Sequence, residues 1–507
     1  VTLDSYDDIT AARTAYDKLS DNAKTLVGSY ETLTAAEEAL AQAEADAVSA
    51  ATDAIDEIGN VTADSKEKID SAKDAYSAVP ERLRDKVTNA ETLDKAIERF
   101  AAIDEIKQAG AKSDEHKDDV ISNLSKNKIY PLQSIGGEWS VIALARAGKL
   151  PADKADKYYN ELCDAVKANG SDRLSDRKPT ENARAIIALS ALGKNSADVA
   201  GYNLLSGLDD MDYITSQGIN AAIFALIAFD TTDYSAKTHD ELIAYITDNM
   251  TGKGWALTGD AADVDLTAMA LQALAPYAAN EKVKSAIDSG LEFLSKSLDE
   301  NARYANGSES TSQVLIALAA LGIDPITDSR FTVDGITLID ALESYATESG
   351  YSHVLGGEEN YMATEQATLA LTAYKLYKDG SSLYNMNVTA VPKDEPGTPD
   401  EPGEPNEPGK PDEPTPGDST DKPEKPDEPT PGDSTDKPEK PDEPTPGDST
   451  DKPEKPDEPS EPGKPDEPDK PGNPDKPVSP DTGVVLTGGM ALLLSGAAML
   501  LSKKKRK

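Results

Sequence analysis

The chain has 507 residues, and 93 Asp and Glu against 51 Lys and Arg leave a formal charge of −42. That charge repels phosphate backbones and anionic lipid, and no basic stripe interleaved with aromatics occurs before the last five residues, so nucleic-acid binding is excluded. One cysteine, Cys163, with three His, two Trp and five Phe, allows no disulfide framework and no thiolate cluster, and neither a metal nor a cofactor is expected.

Residues 1–110 read as two copies of one unit. Val1, Thr2, Asp4 and Ser5 recur as Val61, Thr62, Asp64 and Ser65. The register runs on without a gap through Ile9 and Ile69, Tyr16 and Tyr76, Val27 and Val87, and Leu33 and Leu93, a period of about sixty. Within a unit the apolar residues return at three- and four-residue steps, as at Ile69, Ala72, Ala75, Tyr76 and Val79, and Asp64 or Ser65 is placed to cap the start. Each unit is expected to be a small helical bundle. The Ala- and Glu-rich stretch 31–58 is expected to be a helix that links one unit to the next into a short rod, read most simply as a spacer.

From 113 to 388 a second period appears. Six apolar, Ala-rich segments, Trp139–Leu144, Asn182–Leu189, Asn220–Leu226, Thr267–Leu274, Ser312–Leu318 and Glu365–Leu371, end between 37 and 53 residues apart. Each is apolar nearly all round, which suits a helix buried on both sides and packed close to its neighbours. Amphipathic stretches such as 154–168, 239–250, 282–298 and 337–346 lie between them. The pattern predicts helical hairpins, six inner helices and six outer ones, and the lack of an atypical capping repeat at either end favours a closed ring over an open solenoid.

Polar residues at the starts of the inner helices, Glu138, Trp139, Glu181, Gln217, Asn220, Asp263, Asp265, Glu309, Gln313, Glu365 and Gln366, are expected to gather round one mouth of that ring, with Trp255, Tyr304, Tyr351, His353 and Tyr361 brought there by loops. Carboxamides, carboxylates and a few aromatic plates around a concavity suit a glycan, a corrinoid or a peptide. The plainer role for each is helix capping or bridging between hairpins.

The text Gly254-Trp255, then Asp263-Val264-Asp265-Leu266-Thr267, with Glu309–Gln313 and Ala363–Gln366, resembles the prenyltransferase and squalene-cyclase repeat superfamily, closest to surface proteins with a transcobalamin-like domain. The resemblance implies an α6/α6 toroid over 113–388 and is weak for activity, since that fold hosts unrelated functions. Cyclases of this kind use a DxDD acid at the position of Asp265, but Leu266 stands where the last Asp belongs and the inner helices carry few aromatics. The prenyltransferase zinc needs a Cys at position 265, and the thioester members need a Cys near Gly136-Gly137-Glu138. The expectation is therefore a binding domain and not an enzyme, with an acid catalyst at Asp265 or a ligand-free spacer as alternatives.

Proline divides the chain: 27 of its 33 residues fall between Pro392 and Pro480, and DEPTPGDSTDKPEKP recurs from Asp412, Asp427 and Asp442. Residues 389–478 have nothing to bury against the entropy of ordering and are expected to be a disordered, solvated, polyproline-rich stalk. Ser479, Pro480, Asp481, Thr482 and Gly483, an apolar run 484–501 and a basic tail follow. The run is just long enough for a transmembrane helix whose tail stays in the cytoplasm. This order resembles the LPxTG-type sorting signal of Gram-positive surface proteins, with Ser479 in place of Leu. It implies transient membrane insertion, cleavage after Thr482 by a sortase and covalent attachment to peptidoglycan in the cell wall; a permanent single-pass anchor is the alternative. Export needs a secretory signal, which Val1 does not begin, so a trimmed form is expected.

Overall fold

The computed structural model describes residues 1–305 and 307–392; the stalk from 393 on, the sorting residues 479–483 and the expected span 484–501 lie outside the described residues. Among the described residues every regular element is a helix, β pairing is confined to isolated bridges, and no helix is long and apolar enough to cross a membrane.

The first repeat holds α1 (Tyr6–Asp17), the short α2 (Asp21–Lys24) and the long α3 (Tyr30–Asp56). The second holds α4 (Lys66–Ala78) and α5 (Ala90–Gly110). Equal residues make equal local structure. Ser5 and Ser65 each turn the hydroxyl back to accept a hydrogen bond from Thr2 N–H (3.1 Å) or Thr62 N–H (2.9 Å). Lys24 lies over Tyr16 at 5.7 Å, as Arg84 does over Tyr76 at 5.5 Å. The second repeat is a three-helix bundle: the C-terminal half of α3, which the sequence assigns to a linking helix, packs on α4 and α5 and shares one core with Ile69, Ala72, Val79, Leu83, Val87, Leu93 and Ala96. The first repeat departs from that expectation: α1 buries no residue, because only one other long helix, α3, packs against it.

The remaining helices run α6 (Ser113–Leu124), α7 (Trp139–Arg146), α8 (Ala152–Asn169), α9 (Pro179–Ala191), α10 (Leu204–Leu208), α11 (Met211–Thr215), α12 (Ile219–Asp230), α13 (His239–Asp248), α14 (Val264–Leu274), α15 (Glu281–Lys296), α16 (Ser308–Ala320), α17 (Leu338–Glu343) and α18 (Tyr361–Lys378). Helices α7, α9, α12, α14, α16 and α18 pack each on the next, and α18 packs back on α7. They are buried nearly all round, Ile219 to Phe229 in α12 without a break, because alanines let the helix axes approach closely. The other helices lie outside this ring. On the amphipathic α15, Gly290 leaves room that a Cβ would fill at 3.1 Å from Leu271 and 3.2 Å from Trp255. Helix α6, which precedes the first inner helix, packs on α17 and α18 and so completes the last pair.

The second repeat does not stand free as a spacer. Its α5 lies on α17, with Ile103 and Ile106 in one apolar cluster with Ala302, Ile336 and Ala341. Arg99 pairs with Asp334 at 2.9 Å and donates to Asn301 Oδ1 at 2.6 Å, and Lys107 pairs with Asp340 at 2.7 Å.

Candidate functional site

Like ends of neighbouring inner helices meet. Glu365 of α18 accepts from Ser140 of α7, Thr180 of α9 donates to Gln217 just before α12 (3.1 Å), and Ser310 of α16 donates to Asp265 of α14 at 2.5 Å. At the far ends Ser190 and Thr231 pair at 2.8 Å. The inner helices therefore present their N-termini, with free N–H groups and the positive dipole end, on one side of the ring, where carboxylates are favoured.

Two carboxylate clusters sit there. In the first, Glu138 accepts from Leu132 N–H (2.6 Å) and the Tyr158 hydroxyl (3.2 Å), and its second oxygen faces Arg184 Nε at 3.7 Å, outside hydrogen-bonding reach. Its neighbour Glu365 accepts from Ser140 and from Gly136 N–H at 3.1 Å. Burial raises both carboxyls, Glu365 to about 8, against the opposing pull of Ser140 on Glu365 and of Arg184 on Glu138. In the second cluster Asp263 caps α14 by accepting from Leu266 N–H at 3.0 Å. Asp265 is raised to about 7, by burial first and by the Asp263 charge next. Glu309, fully buried, accepts from His353 Nδ1 at 2.8 Å and leaves its other oxygen without a partner. The loops entering α7 and α18 add exposed apolar side chains to this rim, Ile135, Val354 and Leu355.

The hollow of the ring is nearly filled. A one-way ladder of carboxamides crosses it, Gln272 donating to Gln313 at 2.9 Å and Gln313 to Gln366 at 3.0 Å, opposite Trp139 and Phe224, whose rings are 5.4 Å apart. Residues 381–391 run over the C-terminal ends of α7, α9 and α12, held by Arg146 to Ser382 O (2.8 Å), Asn195 to Val391 O (2.6 Å) and the Thr232–Val388 bridge. From this strap Tyr384 reaches in towards Gln272 at 3.4 Å. What remains among Trp139, Gln313, Leu369 and Tyr384 is about 10 Å³, room for one water molecule. A larger depression of about 990 Å³ lies away from the ring between the two repeats, where Arg82 covers the Tyr6 ring at 3.6 Å and pairs with Glu44 at 2.7 Å.

The sequence-predicted residues divide accordingly. Glu138, Asp263, Asp265, Glu309, His353 and Glu365 reach the rim, while Trp139, Gln313 and Gln366 line the filled hollow. Gln217 bridges α9 and α12, and Tyr361 is half-buried beside Ser140 at 3.3 Å. Trp255, Tyr351 and Tyr304 are not aromatic plates at a mouth, and the expectation is corrected for them: all three are buried. Trp255 donates to Ile246 O at 2.7 Å, Tyr304 to Leu294 O at 3.2 Å and Tyr351 to Glu343 at 2.8 Å, so each packs between inner and outer layers with its polar atom satisfied. Sequence reasoning missed Arg184, whose signal was a cation inside an otherwise apolar run, and Tyr384, which carried none. Among the described residues no group of His, Cys, Asp and Glu could hold a metal ion. No family model matches the chain, and no curated protein or solved structure matches it.

Proposed function

We propose that this chain is a cell-wall-anchored surface protein whose ring, an α6/α6 toroid, is carried on a Pro-rich stalk and binds an extracellular glycan or protein segment on its N-terminal rim. The observation that carries the binding half is that Glu309 is buried there with one oxygen lacking a hydrogen-bond donor, while the second oxygen of Glu138 has only the ion pair with Arg184 at 3.7 Å. A buried acceptor without a donor costs about 1–3 kcal/mol, which a ligand's hydroxyl or amide group recovers. Exposed Ile135, Val354 and Leu355 beside them offer apolar contact. A corrinoid held inside the ring is dropped, because about 10 Å³ admits nothing larger than water. Anchoring rests on residues 479–507 alone, through a sortase acting at Thr482 and peptidoglycan as acceptor.

The purified protein screened against glycans and matrix proteins should show one saturable ligand, bound at least about tenfold more weakly by Glu309→Gln. Silence on every ligand would leave the ring a structural spacer. Thr482→Ala should move the protein from the wall fraction to membrane or medium, and an unchanged wall fraction would remove the sortase reading. A second reading has one observation in its favour: Asp265, raised to about 7, holds a proton that an acid catalyst could give. The filled hollow leaves no room for a polyprenyl chain, and turnover abolished by Asp265→Asn would be needed to revive it.

A further inference from the structure

Residues 381–391 leave the end of α18 and close over the ring without forming a helix, and they are held differently from everything beneath them. Leu383 is buried. Beyond it exposure alternates, the even-numbered residues 384–390 half-buried and the odd-numbered 385–391 exposed, which is the period of an extended segment with one face on the ring. The holds follow one another along the chain. Asn195 donates to Val391 O at 2.6 Å and accepts from Val391 N–H at 3.2 Å, and Ala390 N–H donates to Asp233 Oδ1 at 2.6 Å. Val388 accepts from Asp233 N–H at 3.1 Å and donates to Thr231 O at 3.0 Å. Only then come the Tyr384 hydroxyl, 3.4 Å from Gln272 Oε1, and Arg146 on Ser382 O at 2.8 Å. The inner helices under the strap are buried without a break, as Ile219 to Phe229 of α12 are.

We propose that residues 381–391 are a load-released strap: a pull on the chain beyond Val391 peels them from the ring before any ring helix unfolds, and withdraws Tyr384 from the hollow. The order of the holds is the reason. A pull entering at Val391 loads Asn195 first, then Asp233, then Thr231, one or two hydrogen bonds at a time, whereas extracting an inner helix must break its packing on both neighbours together. A part-exposed backbone ladder with one buried side chain is also the mark of an element that opens at low free energy. The Pro-rich text follows directly, so tension in it enters the folded chain at this end. Tyr384 borders the remaining space with Trp139 and Phe224, and its departure adds the room of one phenol ring beside them and frees the Gln272 carboxamide. The source of the tension rests on the anchoring proposed above; the order of release does not.

The test pulls on the full chain in optical tweezers, with Cys163→Ser in place and handles attached through Ser113→Cys and Lys393→Cys, a path that loads the ring and the strap and leaves the repeats unloaded. A small reversible lengthening is expected at lower force than the first unfolding of the ring. Asn195→Ala should lower the force of that step and leave the unfolding force of the ring unchanged. In hydrogen exchange without load, the same substitution should speed the Val388 and Ala390 amides about tenfold with α12 unaffected, since two hydrogen bonds are lost. A ring that unfolds in one event with no earlier step would overturn the proposal. So would a first step that Asn195→Ala leaves at the same force, or strap amides that exchange as slowly as those of α12. Because the pull is applied directly, failure here leaves the anchoring reading standing, and an unchanged wall fraction with Thr482→Ala leaves the order of release standing.

Discussion

The two repeats carry matching residues sixty positions apart and agree in their turns, yet one has a core and the other an open face. Burial is therefore not a property of the repeat but of what is set against it. A two-helix unit with apolar residues on one side has too little covered area to hold them, and a third helix changes that. The largest effect that would break this comparison comes from a charge placed at one equivalent site in each repeat. Ala72→Asp puts a carboxylate into a closed core and should destabilise the second repeat by about 4 kcal/mol or more, whereas Ala12→Asp should change the first by no more than about 0.5 kcal/mol. Hydrogen exchange resolved over α1 and α4 reads both, and equal protection loss in the two would refute the open face.

The repeats and the ring should also answer pH in opposite directions. Asp70 and Glu91 of the second repeat are exposed and lowered by Lys66 and Lys95, so their small contribution is present above the ordinary carboxylate range and fades as pH falls. In the ring Asp265 and Glu365 are raised, to about 7 and about 8. A carboxyl that holds its proton more tightly folded than unfolded gives full stability below its unfolded pKa of about 4 and loses it as pH rises through the folded value. The ring should thus be more stable at pH 5 than at pH 8.5 by a few kcal/mol, on the order set by linkage. Glu365→Gln should flatten that slope in urea titrations; a ring whose midpoint rises steadily with pH would show these carboxyls to be ionised when folded.

A smaller effect sharpens the contrast between a repeat that is docked and one that is not. A Cβ on Gly110 would meet Asp340 Oδ1 at 1.9 Å and its Cα at 2.9 Å, so Gly110→Ala must push α5 from α17. A cost of about 1–3 kcal/mol is expected, seen as faster exchange over 103–110 with α1 unaffected. The matched Ala50 of the first repeat already carries that methyl and is exposed.

Much of the ring was legible because buried helices repeat a coarse, dense signal. Ala-rich runs such as Asn220–Leu226 announce a helix without a polar face, and Gln313 and Gln366 announce polar partners among them. Trp255 and Tyr351 were misplaced for the opposite reason: an aromatic in a loop reads as a plate for a ligand, and only three-dimensional packing shows that Gly290 opens a slot for the Trp255 ring and that Glu343 waits for the Tyr351 hydroxyl. Tyr384 lies beyond the last inner helix in polar text, and nothing local tells that the strap folds back over the ring ends.

Sequence by itself determined the helical character, the sixty-residue register and the acids at the starts of the inner helices, because periodicity, alanine content and capping chemistry act over a few residues. Tertiary structure alone decided that the hollow is nearly filled, that Glu309 keeps an oxygen without a donor, and that α5 of the second repeat lies on α17. Those outcomes depend on which surfaces remote segments bring together, and a stretch of chain carries no record of the neighbour that will cover it.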